Sequence, residues 1–132
     1  MSARLTDEQQ ALLELVASFA AEQVAPRAAA DERAGRFPRD LFDQLGRLDL
    51  AGLPFPEADG GGQPYGVYLR VVEELSRAFL AVGLGLSVHT LATWAIAEHA
   101  SPEARAEVLP RMLSGEWLGA YSLSEPGSGS DA

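Results

Sequence analysis

The residues best suited to chemistry lie together near the end of the sequence, in Tyr121-Ser122-Leu123-Ser124-Glu125-Pro126-Gly127-Ser128-Gly129-Ser130-Asp131. Gly127 and Gly129 admit backbone angles closed to other residues and let a bulky planar or phosphorylated group reach the main chain. Successive amide N–H groups in such a turn form an anion-binding concavity, to which Ser124, Ser128 and Ser130 add hydroxyl donors. The same Gly-Ser-Gly-Ser composition describes a flexible linker or an expression scar, and spacing alone leaves both readings open. Glu125, placed just before Pro126, reads as a turn residue and not as a catalytic base.

Elsewhere the chemistry is sparse. All ten basic residues are arginine and there is no cysteine. A Schiff-base lysine, the lysine of a phosphate-binding loop, thiol nucleophiles, iron–sulfur clusters, cysteine-ligated zinc and disulfides are therefore excluded within these 132 residues. The net charge of −9 argues against a nucleic-acid footprint, which needs clustered basic groups. His89 and His99 stand ten residues apart, about 280° around a helix, so they do not share a face as metal ligands would. They read as core or solvated histidines, and no metal site is expected.

Helices must position these residues. Thr6 and Gln9 have the spacing of a capping box, so a helix is predicted from Asp7. Leu12, Leu13, Val16, Phe19, Ala20 and Val24 recur at three- and four-residue steps along it. Pro26 is predicted to end or kink this helix, the alanines at 28 to 30 to add a turn or two, and Gly35 to stop it. Phe37-Pro38 opens a second helix with Leu41, Phe42, Leu45 and Leu48 inward. The proline- and glycine-rich stretch from Leu53 to Pro64 is a loop, its three glycines most simply a connector. A third helix starts near Pro64 or Tyr65, burying Tyr68, Val71, Val72, Leu75 and Phe79 and exposing Arg70, Glu73, Glu74 and Arg77.

No charge falls between Arg77 and Glu98, a gap as long as a membrane span. Ser87, His89, Thr90 and Thr93 interrupt it and its flanks carry acidic groups, so a central helix buried on most sides is expected, with no membrane span. Ser101-Pro102-Glu103 supplies a cap, a first-turn proline and an acid for a fifth helix, perturbed by Pro110 and ending near Gly115. The run 117–123 then reads as an incoming strand. A strand without a partner leaves backbone groups unsatisfied, so the chain is expected to be the front of a longer protein. The N-terminus shows no basic segment leading into an apolar one, and the expected location is cytoplasmic.

The tail resembles the flavin-binding segment of acyl-CoA dehydrogenases, usually T-E-P-G-[AS]-G-S-D, with Ser124 in place of threonine and the hydroxyl kept. Four other stretches resemble the same family in the same order: Leu5-Thr6-Asp7-Glu8-Gln9, Gly35-Arg36-Phe37-Pro38, Pro56-Glu57-Ala58-Asp59-Gly60-Gly61 and Leu109-Pro110-Arg111-Met112-Leu113-Ser114-Gly115-Glu116. The resemblance implies an all-α N-terminal domain over residues 1–116, a five- to six-helix orthogonal bundle, with residues 117–132 opening a middle β domain.

It further implies FAD, an acyl-CoA substrate, an electron-transfer flavoprotein partner and a homotetramer. By position, Tyr121, Leu123 and Ser124 would contact the flavin ring, and Gly129 and Ser130 would approach the pyrophosphate and the phosphorylated part of the substrate. Leu84, Ser87, Val88 and Leu91 occupy the region beside the acyl chain, where core packing would explain them equally, and Trp94 would limit chain length. The implied reaction is α,β-dehydrogenation of an acyl thioester in fatty-acid or branched-chain acid catabolism. Its carboxylate base falls downstream, so no catalytic residue is expected here and this stretch alone should be inactive. The alternatives are a nitroalkane oxidase or flavin monooxygenase on the same fold, or a stand-alone helical interaction module.

Overall fold

The structure is a computed structural model that describes residues 4–127 and 129. Its first helix, α1 (Asp7–Phe19), opens on the predicted capping box. Gln9 N–H donates to Thr6 Oγ1 at 3.2 Å and Thr6 N–H donates to Gln9 Oε1 at 3.1 Å, satisfying two donors that a bare helix end would leave unpaired.

Pro26 does not end the helix. The chain widens into a π turn over Ala20–Val24, where the Ala25 N–H reaches Ala20 O, and continues as α2 (Ala25–Ala34) to a left-handed cap at Gly35. A proline ring clashes with the carbonyl four residues back, and one widened turn ahead of it relieves the clash without breaking the rod. Asp31 on α2 is buried and pairs with Arg27 at 2.7 Å and Arg36 at 3.1 Å. Arg27 also pairs with Asp40, holding that carboxyl below its usual range, and so ties α2 to α3 (Arg39–Arg47).

After α3 the segment from Leu53 to Pro64 is indeed a loop, but a folded one. Gly61 N–H donates to Gly52 O at 3.0 Å, Gly62 N–H to Phe55 O at 2.8 Å and Gln63 N–H to Leu53 O at 3.1 Å. These bonds turn Leu53 and Phe55 into the interior. Then come α4 (Tyr65–Ala78) and α5 (Leu80–His99), separated by Phe79 alone, whose extended backbone makes the corner. The two helices touch closely at Gly83, where a Cβ would lie 2.8 Å from Ser76 N and 2.9 Å from Val72 O. Val16, Val24, Leu45, Val71, Leu75 and Val82 meet in the core between α1, the π turn, α3, α4 and α5.

α5 departs from the expectation of a helix buried on most sides. By length and composition it is apolar enough to cross a membrane, yet only its Val82, Gly83, Leu86, His89, Thr90, Ala92 and Thr93 side is buried. Leu80, Leu84, Leu91 and Trp94 are exposed. His89, Thr90 and Thr93 sit inside together with apolar residues while these four large apolar side chains stay outside, so the uniform hydropathy of this helix hides two different faces. The last helix, α6 (Pro102–Leu113), is capped by Ser101, whose Oγ accepts from Ala104 N–H at 3.3 Å, and it runs through Pro110. Residues 117–123 form no strand ladder among the described residues.

Candidate functional site

Two features stand out, a cavity beside α5 and the run that leaves α6 toward Ser124. The cavity, about 440 Å³, lies between the 53–59 loop, α5 and α6. Pro54, Phe55, Leu91, Trp94 and Leu109 give it apolar walls, and Ser87 and Thr90 give it hydroxyls. At its rim Asp59 and Arg105 approach to 3.6 Å, and Glu98 adds a second carboxylate. Both partners of this ion pair are partly solvated, so it contributes little to stability and serves to tie α6 to the loop.

Behind the cavity Tyr68 is buried, and its hydroxyl donates to Thr90 Oγ1 at 2.9 Å. Burial pushes the phenol above its usual value, with hydrogen bonding to Thr90 and Ser87 opposing, so Tyr68 stays protonated and is a structural strut. Tyr68→Phe is expected to cost about 1 kcal/mol, read from the midpoint of urea unfolding. A midpoint equal to wild type would show that this bond carries nothing.

The second feature begins at the end of α6. Arg39, from α3, donates to Gly115 O at 3.3 Å and to Glu116 O at 2.9 Å. Trp117 N–H donates to Arg111 O at 3.0 Å while the Arg111 guanidinium covers the Trp117 ring at 4.8 Å. Gly119 then passes against α5, where a Cβ would lie 2.8 Å from Ala92 Cβ and 2.6 Å from Met112 Cε, and its N–H donates to His89 Nδ1 at 2.9 Å. Beyond it Tyr121, Leu123 and Ser124 are exposed, the first two at 49% and 46%.

The predicted site residues therefore divide. Ser87 and Leu91 line the cavity, as does Trp94. Leu84 instead lines a separate open groove with Phe37, Phe79 and Leu80, and Val88, half-buried, lines neither. Gly129 is exposed, while Ser130 and Ser128 lie outside the described residues. His89 is fully buried and His99 is exposed, meeting the Trp94 ring edge-on at 6.0 Å.

Sequence reasoning did not anticipate Pro54, Phe55 and Tyr65 as cavity walls. A loop's inward side chains follow from its backbone bonding, and neither helical nor strand periodicity reports that.

The family model described as the N-terminal domain of acyl-CoA dehydrogenase matches residues 6–116. An acyl-CoA dehydrogenase of Bacillus subtilis (strain 168) is 39% identical over 130 residues, 97% of this chain and 34% of the relative. Mitochondrial isovaleryl-CoA dehydrogenase of Oryza sativa subsp. japonica is 41% identical over 129 residues, 95% of this chain and 32% of the relative. The structure of butyryl-CoA dehydrogenase from Megasphaera elsdenii superposes with a TM-score of 0.86 at 31% identity, covering 99% of this chain and 36% of that one. The chain thus spans about a third of the length of the relatives it matches.

Proposed function

The chain belongs to the acyl-CoA dehydrogenase family, as its N-terminal domain, and from that membership we propose that the full-length protein is an FAD-dependent dehydrogenase of acyl-CoA thioesters. The observation that carries the reading is α5, which buries His89, Thr90 and Thr93 in the fold and leaves Leu91 and Trp94 exposed beside a mostly apolar cavity. An apolar face of this kind on a helix of a folded domain marks a surface that something covers. An acyl chain suits it chemically, with Leu91, Trp94 and Phe55 as its walls and Ser87 and Thr90 as hydroxyls on the α5 side.

Tyr121, Leu123 and Ser124 fit one wall of a flavin site, with two exposed apolar side chains for a planar ring and an exposed hydroxyl as donor. FAD, when bound, supplies the acceptor for the hydride leaving the β-carbon. This chain's part is to orient and to exclude water. Its helices position the acyl chain and the 121–124 run, and none of its carboxylates is assigned as the base that takes the α-proton. Reoxidation by an electron-transfer flavoprotein and assembly as a homotetramer belong to the same proposal.

Anaerobic addition of a panel of acyl-CoAs to the full-length protein is expected to bleach the oxidised flavin band with at least one short or branched thioester. A protein that carries FAD and is bleached by none of them defeats the proposal.

A further inference from the structure

We propose that His89 is a positioning residue for the cofactor-facing run: by accepting the Gly119 N–H on Nδ1, the neutral imidazole sets the register from which Tyr121, Leu123 and Ser124 extend. The inference rests on the reading that this run faces flavin. The ring is fully buried and both nitrogens are engaged. Gly119 N–H at 2.9 Å can only donate, and Met112 O at 3.0 Å can only accept. Nδ1 is therefore the acceptor and Nε2 carries the proton. Thr93 Oγ1 donates to His89 O at 2.7 Å, adding a hydrogen bond to the His89 main chain, so one residue of α5 joins α6 to the outgoing chain.

Gly119 gives an independent sign that this contact is built. It fits against Ala92 and Met112 only because it has no Cβ. Arg39 and Arg111 hold positions 115 to 117, and the His89 bond is the last that the described residues make before Tyr121. Everything after it is aimed from that point. Protonation of Nδ1 would set a donor against a donor. Burial, and then the charge of Arg39 from α3, hold the ring's pKa below 6.5, with the Met112 carbonyl opposing. Among the described residues, Arg39 is the charged group that shifts this ring. The hold is complete above that ordinary value and is lost as pH falls through the lowered one.

The test uses the full-length holoprotein with His89→Leu, which can accept no hydrogen bond, and His89→Gln, whose amide offers both an acceptor and a donor. The Leu variant is expected to weaken FAD binding about tenfold, near the worth of one well-made hydrogen bond. It should also alter the visible circular dichroism of the flavin and lower kcat more than it raises KM. The Gln variant should recover most of this. Equal losses in both variants, or a Leu variant with wild-type FAD affinity and flavin spectrum, overturn the assignment.

If the Leu variant fails to fold, the wild type decides. Nitrogen-15 spectra of the ring at pH 6.5 should show it mainly neutral and protonated on Nε2, and an imidazolium or an Nδ1–H ring overturns the assignment. A wild type without flavin defeats the parent reading, whereas a flavin-bearing wild type with unaffected variants defeats only the role of His89.

Discussion

Gly83→Ala is expected to destabilise the chain by about 3 kcal/mol, the upper range for forcing a methyl into a packed contact. The added Cβ would lie 2.0 Å from Ser76 Oγ, which can rotate away, but also 2.8 Å from Ser76 N and 2.9 Å from Val72 O, which cannot. Relief requires α4 and α5 to part, opening the core at Val71, Leu75, Val82 and Leu86, all essentially inaccessible. That outweighs the helix-propensity gain of alanine over glycine, about 1 kcal/mol. Gly66→Ala is the control, because a Cβ at Gly66 on the same α4 meets nothing within 4 Å. It is expected to stabilise by about 0.4–1 kcal/mol through the unfolded chain. Urea unfolding of both variants reads the difference, and a Gly83→Ala protein as stable as Gly66→Ala would show that the helix contact is slack.

The same contact shows how far sequence reasoning reached. Signals written within four residues were legible: the Thr6–Gln9 box, the Ser101-Pro102 cap and the Gly35 stop appear where spacing places them, as do the inward stripes of α3 and α4 except that Leu48 and Val72 are only partly buried. Features set by tertiary packing were not. Pro26 advertises a break, but the chain absorbs it in a π turn whose Ala20 and Val24 are buried in the core. The hydropathy of α5 is high all round, and only its contacts with α4, α6 and α3 decide which side turns in. His89 reads as a core or solvated histidine and proves to be a core one, yet its partner Gly119 is thirty residues away, beyond any periodicity.

The 117–123 run carries strand-forming residues but finds no ladder among the described residues. A strand is a property of a pair, and propensity describes only one member. The tail motif pointed to a ligand because its glycines and serines are gathered in one turn and because that turn resembles a flavin-binding segment. The resemblance grouped Leu84, Ser87, Val88 and Leu91, which at i, i+3, i+4 and i+7 do share one helix face; the structure divides them along the axis, because Leu84 lies about 10 Å from Leu91, beside the Phe37 and Phe79 groove and not the cavity.

That separation sharpens the second large prediction. If the cavity takes the acyl chain, size changes at Leu91 and Trp94 should alter chain-length preference, while the same change at Leu84, which lines another groove, should not. Leu91→Trp narrows the cavity from the α5 wall and is expected to lower kcat/KM for the longest thioester accepted by about 10–200-fold, the range set by one misfitted methylene-sized step in an apolar pocket. Short thioesters should be nearly unaffected.

Trp94→Ala removes a large wall at the same site and should shift preference toward longer or branched chains. Both positions are about half exposed, Leu91 at 48% and Trp94 at 53%, so neither change opens a core void and the protein should remain folded. Leu84→Trp, at 56% exposure, serves as the matched control. The measurement is kcat/KM over a series of acyl-CoAs with full-length protein. An active enzyme whose profile moves with Leu84→Trp and not with Leu91→Trp would place the acyl chain in the groove beside Phe37 and Phe79 instead.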